Sequence, residues 1–173
     1  MAEPMSDQNE RVAICPGTYD PVTNGHLDVI ARASRVFDRV VVGVVGQAIR
    51  KQPPMFTAQE RKGFIERAVA DMGLENVTVE IFTNLLVDFA RSHGATAIVK
   101  GLRAISDFEY EFEMNQLNRK AAPDIESVYI FAAAEYSFVR STGVKEMATF
   151  GGPLDDLVPP EVAEALEARL RRD

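Results

Sequence analysis

The sequence is poor in the residues that form disulfide bonds and metal sites. Its 173 residues contain one cysteine and two histidines. Because Cys15 has no second cysteine to pair with, an internal disulfide is excluded and a reducing, cytoplasmic environment is expected. Cys15, His26 and His93 have no spacing that is typical of Cys/His metal sites, so we expect no metal site formed by these side chains.

Long apolar runs and excess positive charge are also absent. No apolar run of about 18 residues occurs, so no membrane span is expected. The first ten residues, MAEPMSDQNE, lack the basic-then-apolar order of a secretory signal, and we expect a disordered tail followed by one domain over 11–173. The net charge of −7 argues against nucleic acid and anionic membranes as partners. A phosphorylated small molecule is compatible with it if the few cations converge.

Hydrophobic periodicity predicts strands and helices that alternate along almost the whole chain. The predicted strands are 11–15, 39–45, 77–82, 97–100 and 127–132. The predicted helices are 24–36, 57–72, 85–93, 106–121, 141–150 and 160–171. This alternation predicts an α/β fold with a Rossmann-like, five-stranded parallel sheet, helices on both faces and further helices at the C-terminus.

Helix starts carry their own signals. Thr57 with Glu60, and Ser106 with Glu109, have the spacing of capping boxes. Asn24 is the expected N-cap of the first helix, and Ser141 or Thr142 that of the helix after the fifth strand.

The connection after the first strand, PGTYDPVTNGH, contains more special residues than a turn requires. A helix N-terminus is a natural seat for phosphate, and Gly17 and Gly25 let backbone approach a ligand. The Thr18 hydroxyl and the His26 imidazole are donors suited to a phosphoryl group. The alternative is an unusually stiff loop with a capped helix.

Further polar residues follow the other strands, where ligands of parallel sheets bind. Lys100 and Arg103 flank Gly101 at the end of the fourth strand, and lysine is rarely buried without a partner. Ser141 and Thr142, with cations beside them, predict a second phosphate seat. The cations expected at this one rim are Arg50, Lys51, Lys100, Arg103, Arg140 and Lys145.

Together these motifs resemble those of the bacterial phosphopantetheine adenylyltransferases, nucleotidyltransferases marked by a His-or-Thr, x, Gly, His motif. Here it reads Thr23-Asn24-Gly25-His26 and is followed by KGLR, DFEYE and YSFVRSTGVKE. The resemblance implies adenylyl transfer from ATP to 4'-phosphopantetheine, giving dephospho-coenzyme A and pyrophosphate, with Mg²⁺ on the triphosphate. It also implies a homohexamer, with apolar faces of the C-terminal helices available for it, and coenzyme A as a feedback ligand.

Roles for individual residues are implied by the same resemblance. The catalytic set is Thr18, His26, Lys100 and Arg103. The ATP-binding set is Thr18, Tyr19, His26, Gly101, Leu102, Arg103, Glu111, Tyr136, Ser137, Phe138, Val139, Arg140, Ser141 and Thr142. The acceptor-binding set is Thr18, Leu86, Lys100, Asn118 and either Arg50 or Lys51. No protein ligand to a metal is implied.

The segment Arg140-Ser141-Thr142-Gly143 departs from the family pattern of Ser-Ser-Ser or Ser-Ser-Thr followed by an aliphatic residue. Arg140 adds a cation there, and Gly143 weakens a helix start by up to about 1 kcal/mol relative to alanine.

Three other functions are weighed. The first is transfer to another acceptor, nicotinate mononucleotide or glycerol phosphate, against which KGLR and DFEYE argue. The second is a non-catalytic nucleotide-binding regulator, and the third is a structural domain with a stiff first loop.

Overall fold

A five-stranded parallel sheet lies at the centre of the protein, whose computed structural model describes residues 10–46 and 53–170. The strands are β1 (Val12–Gly17), β2 (Arg39–Val45), β3 (Val77–Phe82), β4 (Ala97–Leu102) and β5 (Glu126–Phe131). The helices are α1 (Asn24–Val36), α2 (Ala58–Asp71), α3 (Leu86–Ser92), α4 (Ile105–Ala121), α5 (Ser141–Thr149) and α6 (Pro160–Leu170), with a short 3₁₀ turn at Ala134–Tyr136. The predicted alternation of strands and helices is confirmed.

The strand order β3-β2-β1-β4-β5 places β1 in the middle of the sheet. The chain builds outward from β1 to β3 and then returns to the other side of β1 with β4. The connections that leave β1 and β4 therefore run toward opposite edges of the sheet, which makes the space between these two strand ends a topological switch point. Parallel α/β sheets bind ligands at such points.

Alternation along each strand sends side chains to opposite faces of the sheet and creates two cores. Ala13 and Cys15 of β1 face a large core that includes residues of α1, α2, α5 and α6. Val12 and Ile14 face a smaller core that includes residues of α3 and the segment after α4, from which Ala122 and Ile125 are buried. Both faces of the sheet are covered by helices, as predicted.

The predicted helix caps have mixed outcomes. Thr57 and Glu60 form the expected capping box of α2. The box predicted from Ser106 and Glu109 is wrong, because α4 begins one residue earlier, after Ala104, which makes no side-chain cap bond. Its first turn is instead bonded through Asp107, which accepts from the Arg103 backbone N–H.

The N-caps of α1 and α5 also differ from the prediction. Thr23 rather than Asn24 caps α1, because the Thr23 hydroxyl accepts from the His26 N–H and the His26 side chain accepts from the Thr23 N–H. At α5 neither Ser141 nor Thr142 is the N-cap: that residue is Arg140, and it makes no side-chain cap bond.

Some predicted features cannot be compared with the structure. Residues 1–9 of the expected tail, as well as Arg50 and Lys51, lie outside the described residues. Glu10 is described, and its carboxylate pairs with Arg39 at 3.2 Å. Within the described part of the chain, no helix has the length and hydropathy needed to cross a membrane.

Candidate active site

A cavity of about 870 Å³ opens at the carboxyl ends of β1 and β4. It brings together many of the residues predicted to form the site. Those that line it are Thr18, Tyr19, His26, Leu86, Lys100, Gly101, Arg103, Glu111, Asn118, Tyr136 and Val139. Residues more than 100 positions apart in the sequence therefore line the same cavity.

His26 stands at the start of α1 with its ring fixed by the helix cap. The Thr23 backbone N–H donates to His26 Nδ1 over 3.0 Å, and the Thr23 hydroxyl lies 3.1 Å from the same atom. The Tyr19 ring packs edge-on against the imidazole, with centroids 5.1 Å apart. Because Nδ1 accepts a backbone hydrogen bond, the proton of the neutral ring is on Nε2.

The surroundings of His26 keep its ring neutral. Burial and the positive charge of Arg103 lower its pKa from 6.5 to about 4. At neutral pH the imidazole is therefore uncharged, with a single N–H at Nε2. Such a group donates a hydrogen bond to a phosphoryl oxygen without first having to lose or gain a proton.

Thr18 is exposed while the two residues after it are buried. Tyr19 has a left-handed backbone, with φ of 52°, and its hydroxyl donates to the Cys15 carbonyl at 2.9 Å. The Asp20 carboxylate accepts from the backbone N–H groups of Met55 and Phe56. The turn is thus anchored on its far side, which leaves Thr18 facing the cavity.

The two glycines of this connection make room for neighbouring side chains, and both also line the cavity. A Cβ on Gly17 would lie 2.8 Å from the Tyr19 ring, and one on Gly25 would lie 3.3 Å from Tyr136 Cβ. Gly17 allows the Tyr19 ring to fold back, and Gly25 allows α1 to meet the 3₁₀ turn. Because both glycines also line the cavity, their expected role in admitting phosphate stays a prediction.

Lys100 is paired inside the cavity. Its Nζ lies 2.8 Å from Glu111 Oε2, and both side chains are about four-fifths buried. Glu111 belongs to α4, so this ion pair ties the end of β4 to that helix. A lysine at the end of an apolar strand is thereby accounted for.

Arg103 is held by its neighbours on two sides. Its Nε and Nη2 donate to the two carboxylate oxygens of Asp107 at 3.0 and 3.3 Å, and its Nη1 donates to the Val139 carbonyl at 3.0 Å. The nearby guanidinium and backbone N–H of Arg103 lower the pKa of Asp107, although burial of that carboxylate opposes them. The arginine thus links α4 to the segment before α5.

Side chains predicted to form a second phosphate site after β5 contact the first loop. Ser141 Oγ donates to the Pro21 carbonyl at 2.8 Å, and Lys145 Nζ pairs with Asp20 at 3.0 Å. These groups bind the first loop to α5. The predicted ATP-binding residues that are not among those lining the cavity are Leu102, Ser137, Phe138, Arg140, Ser141 and Thr142. Of the predicted cation cluster, Lys100 and Arg103 line the cavity and Lys145 is directed to Asp20.

An apolar section of the cavity was not predicted beyond Leu86. It is lined by Val45, Phe82, Leu85, Val99 and Met114. Asn118 supplies an amide group to the same cavity. An elongated ligand with one phosphorylated end and one less polar arm fits such a surface.

Three supporting residues were missed because they act through the fold. They are Asp20, Arg61 and Asp107, which bond to the backbone or to charged groups around the cavity. Arg61 had a detectable signal: it falls three and four positions before Phe64 and Ile65, on the apolar face of α2, where an arginine needs buried partners.

The cavity has little capacity to hold a metal ion by itself. Among the described residues, no group of three or more His, Cys, Asp or Glu side chains is arranged as a metal site. The acidic residue that lines the cavity, Glu111, is occupied by Lys100.

Comparison with known proteins identifies the family. The model of the cytidylyltransferase-like family matches residues 14–147. A phosphopantetheine adenylyltransferase of Rubrobacter xylanophilus is 54% identical over 155 residues, which cover 90% of this chain and 92% of that protein. The enzyme of the same name from Moorella thermoacetica is 50% identical, over 92% of this chain and 97% of the relative. The chain belongs to the phosphopantetheine adenylyltransferase family.

The fold comparison agrees with this membership. The crystal structure of a putative nicotinate-nucleotide adenylyltransferase from Vibrio parahaemolyticus covers 95% of this chain with a TM-score of 0.70 at 20% identity. At that identity the likeness concerns the fold alone. The phosphopantetheine adenylyltransferase membership comes from the relatives at about 50% identity, and it confirms the resemblance to this family.

Proposed function

We propose that the cavity at the ends of β1 and β4 is where this enzyme transfers the adenylyl group of ATP to 4'-phosphopantetheine, forming dephospho-coenzyme A and pyrophosphate. The observation that carries the proposal is the convergence of the neutral His26 with the cations Lys100 and Arg103 on one cavity. These groups come from different elements of an otherwise acidic chain.

The reaction needs positioning more than acid–base chemistry. A phosphate oxygen of 4'-phosphopantetheine attacks the α-phosphorus of ATP in line, and the bond from that phosphorus to the bridging oxygen breaks. The electron pair leaves with pyrophosphate. Since a phosphate monoester is already ionised near neutral pH, no side chain has to deprotonate it, and charge stabilisation dominates catalysis.

The residues divide between the two substrates. Thr18 Oγ1 and His26 Nε2 donate to the reacting phosphates, and Lys100 binds the phosphate of the acceptor. Leu86 and Asn118 contact the pantetheine arm, beside the apolar lining of the cavity. Arg103, Glu111, Tyr19, the Gly101–Leu102 backbone and residues 136–142 hold ATP. Either Arg50 or Lys51 adds a cation to the acceptor site.

Mg²⁺ fits this site as a companion of the nucleotide. It takes oxygen ligands and keeps several waters, so the triphosphate itself supplies most of its ligands. When bound, it neutralises negative charge on the triphosphate and the departing pyrophosphate.

We further propose a homohexamer, for which α4 supplies the main apolar surface. No residue of α4 is buried among the described ones, and Ile105, Phe108 and Phe112 are exposed at helical spacing along one face. Of the C-terminal helices, α6 buries Val162 and Leu166, whereas α5 leaves Met147 and its C-cap residue Phe150 exposed for the same interface. Exposed patches of this kind are typical of interfaces, here with further copies of the chain.

Light scattering after size exclusion tests the assembly. Wild type should elute with six times the chain mass of 19.1 kDa. F108E should dissociate it, while D71N at the end of α2 should not. A monomeric wild-type protein at micromolar concentration contradicts the assembly.

A cytoplasmic location is proposed as well, and it is supported by Cys15, which is buried within β1 as a free thiol.

Coenzyme A, which resembles the product dephospho-coenzyme A, is proposed as a feedback ligand.

One assay tests the activity directly. Purified protein is incubated with Mg-ATP and 4'-phosphopantetheine, and pyrophosphate and dephospho-coenzyme A are quantified. Equimolar release of the two products is expected. Nicotinate mononucleotide and glycerol phosphate serve as competing acceptors, and faster turnover of either one, or no product above a no-enzyme blank, contradicts the proposed function.

A further inference from the structure

Arg61 is a buried arginine whose guanidinium group donates to three backbone carbonyl oxygens. The residue is 2% exposed. Its Nη1 lies 2.6 Å from the Thr18 oxygen and 3.0 Å from the Val45 oxygen, and its Nε lies 3.0 Å from the Phe56 oxygen. Burying a guanidinium is costly, so an arginine at this place needs a compensating role.

The three carbonyls belong to three different segments. Thr18 follows β1, Val45 is the last residue of β2, and Phe56 precedes α2. A planar group with donors in fixed directions sets the relative positions of all three, which a flexible, point-like ammonium group does less well. Arg61 thus joins the catalytic loop to both flanks of the connection between β2 and α2.

Thr18 is the residue of this network that presents a hydroxyl group to the cavity. Its side chain is exposed to the cavity, whereas its carbonyl is held from behind by Arg61. Arg61 is not among the residues that line the cavity. Of the residues that Arg61 bonds, Thr18 and Val45 line the cavity, and Thr18 is the one whose side chain carries a donor suited to phosphate.

Asp20, an acidic residue, helps Arg61 to hold the segment before α2. Its Oδ1 accepts from the Phe56 N–H at 2.9 Å, so that one residue is held through its amide by Asp20 and through its carbonyl by Arg61. Lys145 completes the cluster by pairing with Asp20. The buried charges of Arg61 and Asp20, with the partly buried Lys145, therefore hold the segments that meet at the Thr18 turn.

We infer that Arg61 is a positioning residue for adenylyl transfer: by fixing the Thr18 carbonyl against Val45 and Phe56, it orients the Thr18 hydroxyl toward the reacting phosphates. This inference rests on the proposed function. Because Arg61 is not among the residues that line the cavity and the Thr18 hydroxyl donates to the phosphates that react, we expect Arg61 to contribute mainly to the rate of the chemical step.

The test is a double-mutant cycle between Arg61 and Thr18. R61K keeps the positive charge but loses the planar guanidinium group. R61M keeps much of the side-chain volume but loses the charge and the guanidinium group, and T18V removes the Thr18 hydroxyl. R67M is the matched control, because Arg67 lies on the same helix, is 61% exposed and pairs with Glu161. For each variant, kcat and both KM values are measured together with circular dichroism and thermal unfolding.

R61K is expected to lower kcat by roughly 10- to 100-fold, the cost of misplacing a group near the reacting atoms, with both KM values within about threefold of wild type. In the T18V background the same change should lower kcat by less than about threefold, because the two residues act as a unit. R67M should leave kcat unchanged.

Four results would overturn the inference while wild type remains active: additive effects of R61K and T18V, an unchanged kcat in T18V, a loss confined to KM, or failure of every Arg61 variant to fold, which would make the residue structural. An inactive wild-type enzyme would instead overturn the proposed function, so the two failures are distinguishable.

Discussion

The backbone N–H of Thr23 donates to Nδ1 of His26 over 3.0 Å, while the His26 N–H donates back to the Thr23 hydroxyl over 3.3 Å. The same pair of hydrogen bonds therefore caps α1 and orients the imidazole ring. It commits Nδ1 to the helix and leaves Nε2–H for the cavity.

Replacing His26 by alanine is expected to lower kcat by about 10²- to 10³-fold, as for other single donors to developing charge. The measurement is steady-state pyrophosphate release at saturating substrates. H93Q is the matched control, since the second histidine of the chain pairs with Glu80 and does not line the cavity. Near-normal turnover of H26A with a native circular dichroism spectrum would remove His26 from the mechanism.

The tautomer of His26 is a second prediction. Long-range ¹H–¹⁵N NMR spectra of the ring should show a protonated Nε2 and an unprotonated Nδ1 at pH 7, because Nδ1 accepts the Thr23 hydrogen bond. The pattern should persist well below pH 6.5, since the folded pKa is about 4. Protonation of both nitrogens at pH 6 would contradict the lowered pKa.

The same pKa predicts how stability depends on pH. The folded pKa, about 4, lies below the ordinary histidine pKa of 6.5, so between these pH values the unfolded chain binds more protons at this site than the folded one. The contribution of His26 to the free energy of unfolding is complete above pH 6.5 and is lost as pH falls toward 4, by up to about 3 kcal/mol.

Urea unfolding at pH 7 and pH 5 measures this loss. Wild type should be destabilised at pH 5 more than H26Q, which has no titrating group at this position, and H93Q serves as the histidine control. Equal pH dependence in wild type and H26Q would contradict the assignment.

Much of the fold follows from local patterns, whereas the partners of the charged residues do not. The run RVVVGVV predicts β2 with its bounds, and Thr57 with Glu60 predicts the start of α2, because both signals lie within one element. The ion pair of Lys145 with Asp20 was not predicted, because the two residues are 125 positions apart and pair only as a result of how α5 packs.

The site shows the same division. His26 and Thr18 are predictable because the strand, loop and helix that carry them are contiguous. By contrast, Ser106 and Glu109 have a capping-box spacing but do not form one, because the Arg103–Asp107 contact starts α4 earlier. A local motif decides the structure only where no tertiary contact competes for the same backbone.

Asp107 is expected to act on ATP binding through Arg103. D107N removes a charged acceptor from the guanidinium, leaving the Val139 carbonyl as its other bond. The KM for ATP should rise by about tenfold, as for loss of a charge-assisted hydrogen bond, with a smaller change in the KM of the acceptor. D28N is the matched control, since Asp28 forms an i,i+4 pair with Arg32 on α1. Equal changes in both KM values would contradict a role through Arg103.

The Lys100–Glu111 pair predicts opposite effects on the two substrates. Lys100 Nζ lies 2.8 Å from the Glu111 carboxylate, so Glu111 competes with the acceptor phosphate for the Lys100 ammonium group. E111Q weakens this competition, so the KM for 4'-phosphopantetheine should fall by roughly three- to tenfold, whereas the KM for ATP, which Glu111 helps to hold, should rise. K100M should instead raise the KM of the acceptor. E113Q is the control, because Glu113 is an exposed residue of the same helix and does not line the cavity. If E111Q moves both KM values in the same direction, the carboxylate does not stand between Lys100 and the acceptor, and Lys100 is then held by Glu111 for the stability of α4 rather than for phosphate binding.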